Sequence, residues 1–148
     1  MDITTKTGDI LTLTEADIYI FPEGLVGFEQ HTRFVIIDPE ENSTFKWLQS
    51  VDTPDVAFVV TAPALFWTDY RVAVHQDSLK TIKMENDTPN MIIVIVQTPD
   101  GSLEKMTANL VAPIIINVQN KHAKQVVLSD PQYTTKHSIA EAIRRATC

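Results

Sequence analysis

The sequence predicts a mostly β protein, namely a small antiparallel, β-barrel-like single domain with one or two short helices. Short runs rich in β-branched residues recur along the chain, and turn-forming residues separate them. The length of 148 residues suits one domain. Roughly a dozen short strands with frequent turns favour a barrel or sandwich over alternating β-α units.

The strongest strand signal lies in residues 103–128, around which we expect the rest of the fold to be organised. An apolar run at residues 110–116 and a second at residues 126–128 flank a polar turn at residues 120–123. Pro113 precedes the richest part of the first run, where a missing N–H is tolerated at a strand start. This pattern predicts a hairpin in the interior of the sheet.

Strand geometry places alternate side chains on opposite faces, so Ile114, Ile116 and Val118 share one face, and Ile115 and Asn117 share the other. Residues 91–96 are apolar on both faces, which indicates a strand covered on both sides. We therefore expect burial of Ile92, Val94, Val96, Ile114, Ile116, Val126 and Leu128.

The remaining strands follow from the same pattern. Gly8 supplies the left-handed backbone of a first hairpin, and Pro22 and Gly24 fit the second and fourth positions of a type I turn. The predicted strands cover residues 3–6, 10–13, 18–21, 34–37, 45–51 and 56–61.

Two segments predict helices. Residues 77–83 form a plausible short helix with Asp77 as its N-cap. Ser138 and Glu141 have the spacing of a capping box, and helix formers follow at residues 140–146. We expect a domain over residues 1–139 and a short helical tail over residues 140–148.

Composition limits the partners. A net charge of −7 and a pI near 4.9 argue against direct binding to DNA or RNA and favour a basic partner, or simply solubility. The N-terminus lacks signal-peptide features, and no apolar run approaches the ~18 residues of a membrane span. The single cysteine, Cys148, has no partner for an intramolecular disulfide, which fits a reducing cytoplasm.

The sequence contains no catalytic or cofactor motif that we recognise. Four histidines, His31, His75, His122 and His137, are scattered without the spacing of a zinc site. Nucleotide-binding glycine patterns and the GxSxG elbow are missing, and a terminal cysteine seldom has the ordered base that a nucleophile needs. We therefore expect no enzyme, no cofactor and no metal.

Three stretches carry a family resemblance. LEKMTANLVAPIIINVQNKHAKQVVL, IYIFPEGLVGFEQHTRFVIID and FKWLQSVDTPDVAFVVTAP resemble, in order and spacing, the bacterial flagellar assembly factor FliW. With the N-terminal ITTKTGDILTL, the resemblance covers the chain up to Ile139. Residues 140–148 lie beyond it.

The resemblance implies a non-enzymatic protein of the cytoplasm. The family binds newly made flagellin and, when free of flagellin, the RNA-binding carbon storage regulator CsrA, and so relieves the repression of flagellin translation by CsrA. The two partners would compete for one acidic module.

The densest aromatic patch lies at residues 63–70, where Phe66, Trp67 and Tyr70 surround Asp69. It is either a loop folded over the barrel end or a partner-binding surface, in which Trp and Tyr act as anchors. We assign Trp47 and this patch as candidate partner-binding residues.

Two alternatives remain open. A small-molecule-binding β-barrel would hold a ligand inside the sheet, and a polar-lined cavity there would favour it, whereas packing by Ile, Val and Leu would count against it. The second alternative is a weak hydrolase of unknown type.

Overall fold

The computed structural model describes residues 1–147, and Cys148, for which we expected no disulfide partner, lies outside the described residues. Within that range the chain forms eleven short strands and one α-helix. The elements are β1 (Asp2–Thr4), β2 (Ile10–Thr12), β3 (Tyr19–Ile20), β4 (Arg33–Ile37), β5 (Phe45–Ser50), β6 (Ala57–Thr61), β7 (Asn90–Gln97), β8 (Thr107–Ala108), β9 (Ile114–Asn117), β10 (Ala123–Gln125), β11 (His137–Ser138) and α1 (Ile139–Thr147).

Strand pairing confirms the antiparallel, barrel-like prediction. One sheet runs in the order β10-β9-β7-β6-β5-β4-β3, with β8 and β11 added beside β7, and β1 and β2 form a separate hairpin. Every ladder is antiparallel. The two ends of the main sheet meet in a single parallel bridge between Ile20 and His122, so the barrel is not closed by a full ladder.

The main sheet packs apolar side chains on both of its faces. We call the cluster on the concave side the inner core; it consists of Phe21, Leu25, Phe34, Leu48, Val60, Ile93, Ile114, Ile116 and Ala123. A second cluster, on the outer side, surrounds Val94, Val96 and Ile139, and a third surrounds Ile82 and Ile115. The hairpin of β1 and β2 covers Val35 with a fourth cluster.

The hairpin of β9 and β10 has the predicted architecture. Ile114 and Ile116 enter the inner core and Ile115 the third cluster, as alternation requires. Beyond β10, Val126 N–H donates to Pro113 and Leu128 N–H donates to Val111, so the pairing continues without regular strand geometry. The turn residue with positive φ is Lys121 (59°). The residues with predicted burial are buried except Ile92, which is half-buried.

Asn117 is the buried polar residue of β9, with a relative exposure of 2%. Its side-chain amide donates to the Ile82 carbonyl at 2.8 Å, and Asn120 donates to the same oxygen at 3.2 Å. Because an unpaired buried amide is costly, these bonds tie the segment before β7 to the sheet.

The short helix predicted at residues 77–83 is present, one residue earlier than expected, but Asp77 is not its N-cap. The segment is a 3-10 helix at Gln76–Ile82 that follows His75, and no side chain caps its N-terminus. Leu79 and Ile82 are buried three positions apart, which matches the three residues per turn of a 3-10 helix. Lys83 ends it in a left-handed conformation, with φ of 56°.

The predicted C-terminal helix is present as α1. Ser138 Oγ accepts a hydrogen bond from Glu141 N–H at 3.2 Å, as expected of an N-cap serine. Ile139, Ala140 and Ala142 are buried against the body of the protein. The boundary that we expected between residues 139 and 140 falls within the first turn of α1, and the division into a domain and a tail stays a prediction.

Ile116 offers a direct test of the inner core, because its side chain is fully buried. We expect Ile116→Ala to lower the free energy of unfolding by about 2–5 kcal/mol, since the cavity relaxes only partly. Urea denaturation of both proteins measures the difference. A loss below about 1 kcal/mol would place this residue outside a tightly packed core.

Gly24 tests the turn after β3. Its φ is 66°, and a Cβ there would lie 2.6 Å from backbone atoms of Phe28 and Glu29, whereas a Cβ on Gly27 (φ 83°) would meet no atom within 4 Å. We expect Gly27→Ala to cost about 1–2 kcal/mol of stability from left-handed strain alone. Gly24→Ala should cost distinctly more in thermal or urea melts, and equal losses would contradict the close approach.

Candidate binding surface

The predicted aromatic patch is part of a longer row of rings on the outer side of the main sheet. A short 3-10 turn at Pro63–Leu65 starts it, and the N–H groups of Phe66 and Trp67 both donate to the Pro63 carbonyl. Successive ring centroids lie 4.8–6.2 Å apart. We call this set the aromatic row; its members in order of contact are Phe45, Phe66, Trp67, His137, Tyr133 and Tyr70.

Tyr70 anchors one end of the row. Its hydroxyl donates to the Leu110 carbonyl at 2.6 Å, and its ring packs edge-on against Tyr133 with centroids 4.8 Å apart. Burial raises the pKa of the Tyr70 hydroxyl above its ordinary value, and Tyr133 shifts it in the same direction. The hydroxyl is therefore a neutral donor that holds the loop on the sheet.

Trp67 occupies the middle of the row and is half-buried. Its ring packs edge-on against His137, with centroids 6.2 Å apart. His137 Nε2 accepts a hydrogen bond from Thr134 N–H at 2.9 Å. Burial, and then the charge of Arg145, lower the pKa of His137 below its ordinary value. A neutral imidazole at this position keeps its acceptor nitrogen free for Thr134.

The structure brings together three of the five candidate residues and separates the other two from them. Phe66, Trp67 and Tyr70 belong to the aromatic row, while Asp69 is exposed in the loop between them. Trp47 lies on β5 two residues from Phe45 and lines a different feature, a surface cleft of about 360 Å³ beneath the hairpin of β1 and β2.

The cleft at Trp47 has an apolar wall and a polar floor. Leu11, Ile37 and Pro39 form part of its lining, and Gln49 lies at its base. Gln49 is 1% exposed, and its side-chain oxygen accepts a hydrogen bond from Lys6 N–H at 2.9 Å. This bond ties the hairpin of β1 and β2 to β5.

Sequence reasoning missed Phe45, Tyr133 and His137 as members of the aromatic row. Tyr133 and His137 lie more than sixty positions beyond Tyr70 in the chain, and long-range contacts such as the pairing of β11 with β8 bring them to the row. Aromatic density along the sequence indicates residues 66–70, but it carries no information about ring contacts between distant parts of the chain.

The inner core bears on the ligand-binding hypothesis. Its residues are aromatic or aliphatic, and each is at most 6% exposed. By the criterion stated above, apolar packing of the barrel interior counts against a small-molecule site there.

Residues 1–147 contain no group of three or more His, Cys, Asp or Glu side chains arranged to hold a metal ion. None of the helices in that range has the length and apolar character needed to span a bilayer.

Comparisons with known proteins agree with the resemblance stated above. The family model described as "FliW protein" matches residues 2–139. The flagellar assembly factor FliW of Caldanaerobacter subterraneus subsp. tengcongensis is 42% identical over 147 residues, covering 99% of this chain and 97% of that protein. The flagellar assembly factor FliW of Bacillus subtilis is 40% identical over 141 residues, covering 94% and 96%.

A solved structure shows the same fold. The crystal structure of a flagellar assembly factor FliW superposes with a TM-score of 0.85 and 32% identity, covering 94% of this chain and 96% of that one. The alignment with the Caldanaerobacter protein covers 99% of this chain and so extends beyond residue 139, where the family model ends. On this evidence the chain belongs to the FliW family of flagellar assembly factors.

Proposed function

We propose that this protein is a non-enzymatic assembly factor that binds newly made flagellin in the cytoplasm. When it is free of flagellin, it binds CsrA and relieves the repression of flagellin translation by CsrA. The observation that carries the proposal is the relationship to FliW proteins along nearly the whole chain.

The proposed regulation requires competition between partners and no chemistry. If flagellin and CsrA exclude each other, each lowers the apparent affinity of the protein for the other by the same factor. Abundant flagellin then occupies the protein and leaves CsrA free to repress. When flagellin is scarce, the freed protein captures CsrA again.

The charge of the chain supports a basic partner. RNA-binding regulators present basic surfaces to phosphates, and a formal charge of −7 on this chain is complementary to them. Complementary fields accelerate encounter, so association with such a partner should slow as salt screens the field.

The candidate residues have different roles in this proposal. Trp67 offers a large half-exposed ring, and Asp69 offers an exposed carboxylate for a basic group on the partner. Phe66 and Tyr70 hold the loop that presents them, through the ring contact of Phe66 with Phe45 and the hydrogen bond of Tyr70. Trp47 would contact the partner from its neighbouring cleft.

Trp67→Ala is the sharpest test of this surface. We expect the substitution to weaken binding to purified flagellin or CsrA by more than about 1 kcal/mol, which is at least fivefold, because it removes a large anchor. Isothermal titration calorimetry measures the affinity, and a thermal melt run in parallel measures the fold. Leu103→Ala, at a residue that is 48% exposed, is the matched control.

Four outcomes separate the alternatives. Weaker binding by a folded Trp67 variant supports the surface. Loss of the fold means that the aromatic row is core and that the loop only covers the sheet. Unchanged affinity in a folded variant places the interface elsewhere, and failure of the unaltered protein to bind either partner contradicts the proposed function itself.

A further inference from the structure

The net negative charge of this protein comes from one part of the chain, although carboxylates occur throughout it. Residues 1–41 contain nine carboxylates and two basic side chains, giving a formal charge of −7, whereas residues 42–148 contain ten of each and are neutral. The acidic part comprises the hairpin of β1 and β2, together with β3 and β4. The excess negative charge is therefore carried by the β3–β4 end of the main sheet and by the separate hairpin.

A groove of about 410 Å³ crosses this acidic part. Residues 11–13 of the β2 region form one wall and residues 35–38 of the β4 region form the other. Asp17, Tyr19 and Lys121 complete the lining. We call this feature the edge groove.

One wall of the edge groove is an open strand edge of β4. β3 pairs with β4 only at Phe34 and Arg33, so it ends before Ile36. Val51 N–H donates to the Arg33 carbonyl, which shows that Arg33 directs its main-chain groups toward β5. Because main-chain groups alternate along an antiparallel strand, Ile36 directs its N–H and C=O away from β5, past the end of β3.

The opposite wall is an open strand edge of β2. Leu13 N–H donates to the Met1 carbonyl, and Leu11 pairs with Ile3, so both direct their main-chain groups toward β1. The same alternation directs the N–H and C=O of Thr12 away from β1. In the described part of the chain no strand pairs with this edge of β2.

We propose that the edge groove binds an extended, cationic segment of a partner protein by strand addition. An extended peptide satisfies main-chain groups on an open strand edge, and its alternate side chains contact the walls of the groove. Tyr19, Ile36 and Ile37 give those walls an apolar character. This inference does not depend on which partner is proposed above.

The charge around the groove selects a cationic occupant. Asp17 is exposed, and hydrogen bonds from Thr14, chiefly from its N–H, lower the pKa of the Asp17 carboxyl, so it stays ionised. Asp38 is half-exposed and forms an ion pair with Lys46. Lys121 is the basic group of the lining, and it donates to the Ala16 carbonyl.

A second copy of this chain is a poorer occupant than a cationic segment. Edge-to-edge pairing of two copies would bring two segments of charge −7 together, and like charges oppose such contact. An anionic segment would meet the same repulsion. A segment with alternating basic and β-branched residues fits both the field and the strand edges.

The test uses the full chain, labelled with ¹⁵N, and a synthetic probe. The probe is a capped heptapeptide in which Lys and Val alternate. We expect the peptide to slow hydrogen exchange at the amides of Ile36 and Thr12, because it supplies acceptors for these N–H groups. A capped peptide that alternates Glu and Val, and a Lys-Val peptide N-methylated at alternate residues, should bind at least roughly tenfold more weakly.

A matched pair of variants distinguishes the effect of a charge in the edge groove from the effect of the net charge of the molecule. Asp38 and Asp52 are ion-paired carboxylates of similar exposure, 48% and 52%, and only Asp38 lines the edge groove. We expect Asp38→Asn to weaken probe binding by roughly three- to tenfold. Asp52→Asn, which removes the same charge from the molecule, should leave binding nearly unchanged.

Three results would overturn the proposal. They are unchanged exchange at Ile36 and Thr12 under saturating probe, equal binding of the N-methylated peptide, and absence of binding at concentrations of several millimolar. Concentration-dependent dimers in sedimentation, with protection of the same amides in the absence of probe, would replace the cationic segment by a second copy.

Discussion

The fold depends on burying both faces of one strand, β7. Ile93 enters the inner core, Ile92 packs against the cluster around Ile82, and Val94 and Val96 enter the cluster around Ile139. The same strand pairs with β6, β8 and β9. Three apolar clusters therefore share one backbone segment, and a polar residue on either face of β7 would be buried without a partner.

This constraint explains why much of the fold can be predicted from the sequence. Residues 91–96 and 114–116 are apolar runs too short for membrane spans and rich in β-branched residues, a pattern that indicates covered strands. The C-terminal helix is readable because the serine that caps it acts locally. Propensity did not give the 3-10 form of the segment at Gln76–Ile82, whose last carbonyl accepts hydrogen bonds from Asn117 and Asn120, more than thirty positions further along the chain.

The candidate surfaces were less predictable, for a physical reason. Phe66, Trp67 and Tyr70 are neighbours in sequence, but the rings that fix their positions come from β5 and from the segment before α1. The edge groove depends on where β3 ends relative to β4, which is a matter of register. The charge asymmetry, in contrast, is present in the sequence and is found by counting charges in segments.

The two surfaces are connected through β5 and the hairpin of β1 and β2. Trp47 stands on β5 between them, two residues from Phe45 of the aromatic row, and its cleft shares Leu11 and Ile37 with the edge groove. A partner large enough to cover a standard interface would reach both surfaces at once. A partner that covers both surfaces would therefore exclude a second partner from either one without a conformational change.

The single bridge between Ile20 and His122 has a consequence for the order of folding. It joins the third strand to the tenth, so most of the chain lies between its two ends. Closing so long a loop costs more conformational entropy than closing a hairpin, and a single bridge offsets little of this cost. The seam should therefore form after the hairpins during folding and open before them in the folded protein. Tyr19 and Lys121 flank this seam and also line the edge groove, so the groove lies beside the part of the barrel that we expect to open first.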